Sequence, residues 1–209
     1  MLYTSRADAG RRLAAALDHL RGTDLVVLGL PRGGVPVAFE IAAALSAPLD
    51  VVLVRKLGVP WQPELAMGAI GEGESRVIND DVLRIARISK TSLAMVEAKE
   101  RHELERRARV LRGGRPRAPL RGRVAVLVDD GMATGATAAV ACQSVKKLGA
   151  ARVIVAVPVA APEAVGRLRV TADEVVCPYT PADLGGVGNA YADFHQLSDT
   201  EVTDLLAPH

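Results

Sequence analysis

An open, twisted, mainly parallel α/β sheet flanked by helices is the fold class this sequence predicts, and three observations predict it. Continuous apolar runs at residues 25–30, 51–54, 124–128 and 153–157 read as strands buried on both faces. Helical stretches alternate with these runs, the pattern of parallel strands joined by crossover helices. Two of the runs lead straight into a small-residue turn and then a helix, at Pro31-Arg32-Gly33-Gly34 and at Gly131 to Thr137.

Taken in order, residues 8–21 read as an amphipathic helix with Leu13, Ala16, Leu17 and Leu20 on one side. The first strand follows, then a small-residue helix over 35–45 with Pro36 in its first turn, where proline is tolerated. The second strand, 51–54, ends in Arg55-Lys56. Residues 57–64 hold two prolines and a glycine and are expected to be irregular. Segments 66–70 and 76–78 flank Gly71-Glu72-Gly73-Glu74 as a small hairpin. Ser89 caps a long charged helix reaching Leu111, with a narrow apolar stripe of Leu93, Val96, Leu104, Ala108 and Leu111. Gly113-Gly114-Arg115-Pro116 breaks it. A small-residue helix from Ala138 to Leu148 follows the third strand. A helix at 162–168, a short strand at 173–177 and a terminal helix at 199–206 with Ser198 as its cap follow the fourth. The simplest account is a single domain, 1–209, with a core at 22–178, an inserted hairpin plus long helix at about 66–115, and a C-terminal segment at 179–209 rich in Gly, Pro and aromatics.

Apolar residues make up 49 % of the 209, enough for a well-buried core. The net charge of +2 is too small to argue for nucleic acid. Arg greatly outnumbers Lys, and its planar fork suits phosphate. Cys142 and Cys177 sit in apolar contexts and read as small buried hydrophobes, with no disulfide framework or metal cluster. His19, His102, His195 and His209 lack metal-ligand spacing. The polar opening from Met1 to Arg12 is no signal peptide, and no apolar run is long enough to span a membrane. The expected location is cytoplasmic.

Residues 124–137, VAVLVDDGMATGAT, carry the chemistry. A buried strand delivers Asp129 and Asp130 to its C-terminal end, where ligands of open α/β sheets bind. Gly131, Thr134, Gly135 and Thr137 then lead into a helix whose N-terminal amides and dipole suit a phosphate. The Thr hydroxyls add donors, and the carboxylates can accept from sugar hydroxyls. A Walker loop is excluded because no Lys follows Gly135, and the dinucleotide fingerprint is absent.

This stretch resembles the signature of the type I phosphoribosyltransferases, which bind 5-phosphoribosyl-1-pyrophosphate (PRPP). The resemblance implies that Asp129 and Asp130 lie beside the ribose 2- and 3-hydroxyls, and that Gly131, Met132, Ala133, Thr134, Gly135, Ala136 and Thr137 form the PRPP loop. Arg32, Gly33 and Gly34 resemble the family's pyrophosphate loop, in which a strained peptide bond is common in other members; the residues themselves do not establish one at Arg32-Gly33. The two glycines are expected to let the backbone turn sharply and present free amides. Arg55 and Lys56 resemble an Arg-Lys pair that precedes a mobile loop in orotate- and adenine-using relatives. They are expected to assist the pyrophosphate, with 57–65 as the lid. The catalytic set implied is Asp129, Asp130, Arg32 and Lys56 around one crevice. Mg²⁺ is implied as cofactor, supported by Asp129 and Asp130 directly or through water, with Asp193 a further candidate ligand.

In this family the acceptor lies under a C-terminal hood, here 179–209, whose Tyr179, Tyr191 and Phe194 are the candidate stacking residues. Val187-Gly188 followed by Tyr191 and Asp193 is similar to the hood of the purine relatives, with the spacing off by one. Hypoxanthine- and guanine-using relatives carry an Asp just before the Thr-Gly. Here it is Ala133, which argues against 6-oxopurines. The long charged helix and the YxDF-like tail look most like a bacterial branch of the family. The expected partners are PRPP and a base-like acceptor, with a homodimer left open and no membrane or nucleic acid. Two other readings stand beside the transferase. One is a PRPP- or nucleotide-binding regulator, whose feature is the run of eight arginines from Arg106 to Arg123, a possible RNA footprint. The other is hydrolysis with water as acceptor.

Overall fold

The computed structural model describes residues 1–207; His209 and the end of the 179–209 segment lie outside the described residues. In chain order the elements are α1 (Arg6–Ala16), β1 (Leu25–Gly29), α2 (Gly34–Leu45), β2 (Leu49–Val51), β3 (Val54–Val59), β4 (Gln62–Gly71), β5 (Ser75–Ile78), α3 (Asp80–Ile85) and α4 (Lys90–Leu111). Then come β6 (Val124–Val128), α5 (Ala136–Lys147), β7 (Arg152–Ala156), α6 (Pro162–Leu168), β8 (Glu174–Val176) and α7 (Asp199–Leu206).

Five strands form a parallel sheet in the order β2-β1-β6-β7-β8. Alternate side chains of its central strands serve opposite faces. Leu25, Val27, Val126, Val128 and Ile154 pack on α1 and α2 through Leu13, Leu17, Val37 and Ile41. Val26, Leu28, Leu127, Val153 and Val155 pack on α5 and α6 through Ala141, Val145 and Leu168. Burial on both faces explains why these strands are apolar without alternation. The β1 and β6 ends, and with them the two small-residue turns, lie side by side, because Gly29 pairs with Val128.

The second strand departs from expectation. β2 spans only Leu49–Val51, and the chain then leaves the parallel sheet for a separate antiparallel one, β3-β4-β5. Arg55 and Lys56 therefore lie inside β3 rather than at the end of a parallel strand. The 57–64 stretch expected to be irregular lies in a hairpin with Val59 opposite Gln62 and Pro60-Trp61 at its tip. Its prolines are tolerated because Pro60 occupies the turn and Pro63 lies where the register slips, so neither breaks a ladder. Gly58 stands at that slip, where a Cβ would come within 2.5 Å of the Pro63 carbonyl oxygen. The hairpin expected at 66–78 is present as β4 and β5, and thus gains β3 as a third strand. Helix α3 is an addition to the expected set; Asn79 caps it through the Val82 amide.

Helix α4 buries the expected stripe, with Leu93, Leu104, Ala108 and Leu111 packing against Leu57 and Ile70 of the small sheet. Its C-cap, Arg112, is buried and joins the two sheets. Nε donates to Asp50 Oδ1 on β2 at 2.9 Å, Nη1 to Glu72 Oε1 at 2.7 Å and Nη2 to the Val51 carbonyl at 2.8 Å. Glu72 lies in the turn between β4 and β5 and also accepts from the Leu53 amide; Asp50 also accepts from the Ala118 amide. Cys142 is buried in α5, and burial pushes its thiol up to about 11. Iodoacetamide at pH 8 should therefore leave Cys142 unmodified in the native protein and label it in urea, as read by mass spectrometry.

Candidate active site

The turn after β6 places two carboxylates side by side. The Asp130 amide donates to Asp129 Oδ1 at 2.9 Å. Burial and the adjacent Asp130 charge push the Asp129 carboxyl well above the usual carboxylate range. Burial also raises Asp130, against the opposing pull of a guanidinium from α1. That guanidinium is Arg6, whose Nε lies 2.8 Å from Asp130 Oδ2, the two side chains being 10 % and 13 % exposed.

The loop then opens to solvent at Ala133 and Thr134, closes over Gly135 and opens again at Ala136 and Thr137. Gly135 is the N-cap of α5 with φ +70°, a left-handed conformation that favours glycine, and a Cβ there would lie 3.2 Å from the Ala164 carbonyl oxygen. Thr134 Oγ1 accepts from the Ala136 amide at 3.3 Å. The amides of Thr137 and Ala138, in the first turn of α5, have no intrahelical acceptor. Met132 differs from expectation. Its side chain is 4 % exposed in the core, its amide donates to the Val159 carbonyl and its own carbonyl accepts from Ala161. It spaces the loop and offers nothing to a ligand. Gly131 is buried against the hood, where a Cβ would lie 2.5 Å from Val187 Cγ1.

The β1 turn meets the acidic pair directly. A Cβ on Gly33 would lie 2.0 Å from Asp130 Oδ2, and one on Gly34 would lie 2.4 Å from the Val128 carbonyl oxygen. Gly33 has φ −59°, so its glycine is required by space rather than by an unusual turn. The Gly34 amide donates to the Leu30 carbonyl, so of the two amides expected to be free, this one is taken. The peptide bond Pro31-Arg32 in this loop is cis. Arg32 reaches toward the hood, with Nη1 donating to the Leu197 carbonyl at 2.5 Å and Nε 3.6 Å from Asp199.

Strand alternation separates the Arg55-Lys56 pair. Arg55 turns to α4, where Nε donates to Glu100 at 2.8 Å, and so does not join the crevice. Lys56 lies on the other face, 3.5 Å from Glu64, and with Ala136 and Thr137 lines a cavity of about 830 Å³ between the small sheet and α5.

The hood aromatics also divide. Tyr191 is 3 % exposed, stacks on Phe194 at 5.1 Å, and donates from its hydroxyl to the Asp130 carbonyl. Burial and the Asp130 charge raise its pKa, so it remains a donor. It anchors the hood to the acidic turn and is closed to a stacking base. Phe194 carries the Arg6 guanidinium 4.0 Å from its ring centre. Tyr179 is exposed, beside Met1 and Leu2, its carbonyl accepting from the Ala160 amide. The N-terminal segment belongs to the hood, since Tyr3 pairs with Tyr191. Asp193 accepts from the amide and Nδ1 of His195, which hold its carboxyl below the usual range; it is paired there rather than with Asp129 and Asp130.

Among the described residues no group of three or more His, Cys, Asp or Glu forms a metal cage, and no helix is long and apolar enough to cross a membrane. Arg6 was not legible in the sequence: it is one of three arginines in a polar opening segment, and only the fold shows that it meets Asp130.

Comparison with known proteins adds independent findings. A family model described as "Phosphoribosyl transferase domain" matches residues 2–191. Two Mycobacterium tuberculosis proteins, "Putative phosphoribosyl transferase MT0597" of strain CDC 1551 / Oshkosh and "Putative phosphoribosyl transferase Rv0571c", are each 56 % identical to this chain over 205 residues, 98 % of its length. The chain spans about half of these relatives, 46 % of each. The crystal structure of TT1426 from Thermus thermophilus is 48 % identical, with a TM-score of 0.84 over 99 % of this chain and 98 % of that one. The AQ2163 protein of Aquifex aeolicus, 15 % identical with a TM-score of 0.50 over 86 % of this chain and 78 % of that one, shares the fold.

Proposed function

The chain belongs to the phosphoribosyl transferase family, and we propose that it transfers the 5-phosphoribosyl group of PRPP to a nitrogenous, base-like acceptor with release of pyrophosphate. The observation that carries this reading is the contact between two strand ends: the Asp130 carboxylate of the β6 turn abuts Gly33 of the β1 turn, beside the open N-terminus of α5.

In this reading the Thr137 and Ala138 amides, with the Thr134 and Thr137 hydroxyls, hold the 5-phosphate. Asp129 and Asp130 accept from the ribose hydroxyls. Lys56 faces the same cavity and meets the pyrophosphate, and Arg32 joins it by releasing the Leu197 carbonyl. At C1 the bond to pyrophosphate breaks with its electron pair leaving on oxygen, the acceptor nitrogen forms the new bond, and its proton passes to solvent. Positioning and neutralisation of the departing charge are the protein's contribution. Two adjacent carboxylates beside a solvent-open loop fit Mg²⁺, which keeps waters and takes substrate oxygens as ligands. When bound it would supply charge neutralisation at the pyrophosphate.

The arginine run gives little support to a regulator that binds RNA. Six of its eight members have protein partners: Arg106 pairs with Glu103, Arg107 with Asp199, Arg117 with Glu72 and Arg123 with Asp24, while Arg112 is buried and Arg115 bonds the Leu206 carbonyl.

The test is a screen of labelled PRPP with Mg²⁺ against individual nucleobases. Pyrophosphate release with one base supports the transferase and names the acceptor. PRPP binding without release against any base supports the regulator, and release without base supports hydrolysis. In the productive assay Lys56→Ala should raise the PRPP KM about tenfold, the loss of one charge-assisted contact. An unchanged KM removes Lys56 from the site.

A further inference from the structure

Resting on the PRPP reading above, we infer that Arg6 is a positioning residue, which fixes the Asp130 carboxylate for the ribose and ties it to the hood. Arg6 enters from the first turn of α1, far in sequence from both groups it joins. It is buried, and its donors are directed to two different places. Nε donates to Asp130 Oδ2 at 2.8 Å and Nη1 to the His195 carbonyl at 2.9 Å, while the guanidinium plane lies 4.0 Å from the Phe194 ring centre.

The carboxylate it holds has little freedom. Gly33 presses on it from the β1 turn, close enough that a Cβ there would lie 2.0 Å from Oδ2 and 3.0 Å from Oδ1. Arg6 takes Oδ2 as a charge-assisted partner, so the side chain is fixed between a steric wall and a cation. The backbone of Asp130 is fixed by the same hood, through the Tyr191 hydroxyl on its carbonyl. A displacement of the hood therefore reaches the ribose carboxylate through two bonds. A lysine at position 6 would keep the charge and lose the fork that spans Asp130 and His195.

A merely structural arginine, pinning α1 to the hood, predicts a fall in stability and no special dependence on Asp130. The two accounts separate in a double-mutant cycle read by calorimetric titration with PRPP and Mg²⁺. Arg6→Met keeps most of the aliphatic stem. It should weaken binding about tenfold, from loss of one charge-assisted partner of the carboxylate. Asp130→Asn should weaken binding at least as much, and the double variant should bind no worse than Asp130→Asn alone. Losses that multiply in the double variant overturn the inference, as does a folded Arg6→Met with wild-type affinity and only a lower Tm. If Arg6→Met fails to fold, Arg6→Gln, which retains a neutral donor, carries the same expectation of weakened binding and the same contradiction if affinity is unchanged. A wild-type protein that takes no PRPP overturns the functional reading itself, an outcome distinct from a wild type that binds and an Arg6 variant that binds equally well.

Discussion

Replacing Asp129 and Asp130 together by Asn should weaken Mg²⁺-dependent PRPP binding by about a hundredfold or more. With PRPP and Mg²⁺ bound both carboxylates would be ionised, and hydrogen bonds to charged groups contribute about 1.5–3 kcal/mol each, most of which a neutral Asn oxygen forgoes. Two such losses amount to about 3–6 kcal/mol, a factor of about a hundred to ten thousand. The fold should survive, because Asn has nearly the shape of Asp and its amide oxygen can still accept from Arg6 Nε. Burial already favours the uncharged form of Asp129, so the amide suits its surroundings. Calorimetry on a variant with native circular dichroism checks the expectation, and unchanged affinity would remove the acidic pair from the site.

Arg112→Ala should lower the unfolding free energy by about 3–5 kcal/mol, since it strips buried Asp50 of its cation and leaves buried Glu72 only the more distant, exposed Arg117 at 3.6 Å. Asp50 and Glu72 are both under a tenth exposed, and each also receives a backbone amide, so neither can turn out to water. The triad is also a joint: Asp50 stands on the edge strand of the parallel sheet and Glu72 in a turn of the antiparallel one. Its loss therefore loosens the attachment of the sheet that carries Lys56. Urea unfolding measures the change, with a Tm decrease of about 10 °C accompanying it. A variant within about 1 kcal/mol of wild type would show that the joint rests on packing alone, as for an exposed ion pair.

What the sequence made legible was what local physics decides. The strands β1 and β6, and β7 after its exposed Arg152, are apolar because both faces are buried, and the caps Ser89 and Ser198 each announce their helix. The Asp129–Thr137 loop was legible because its residue types and order are required by its shape: an open N-terminus at α5, a left-handed Gly135 before it, a strand behind. Tertiary contacts decided the rest. The Val51–Val54 run read as one strand, yet Val51 ends the parallel sheet and Val54 begins another, a break that no local residue signals. Arg55 and Lys56 are neighbours in sequence and opposites in space because they fall inside a strand. Tyr191 and Met132 looked available and are buried by partners distant in the chain, Tyr3 and Val159. Arg6 and Arg112 were indistinguishable from surface arginines until the fold supplied their carboxylates. The Gly33 requirement was legible as a glycine but for a different reason, since the carboxylate against it comes from another strand.

A crystal structure of the protein with PRPP and Mg²⁺ would show where the sugar phosphate sits. The 5-phosphate should lie within about 3 Å of the Thr137 and Ala138 amides, a normal hydrogen-bond distance, with ribose hydroxyls on Asp129 and Asp130 and the pyrophosphate toward Gly33 and Lys56. PRPP bound elsewhere on the molecule, or lying in this cleft with its phosphate away from the start of α5, would contradict this placement.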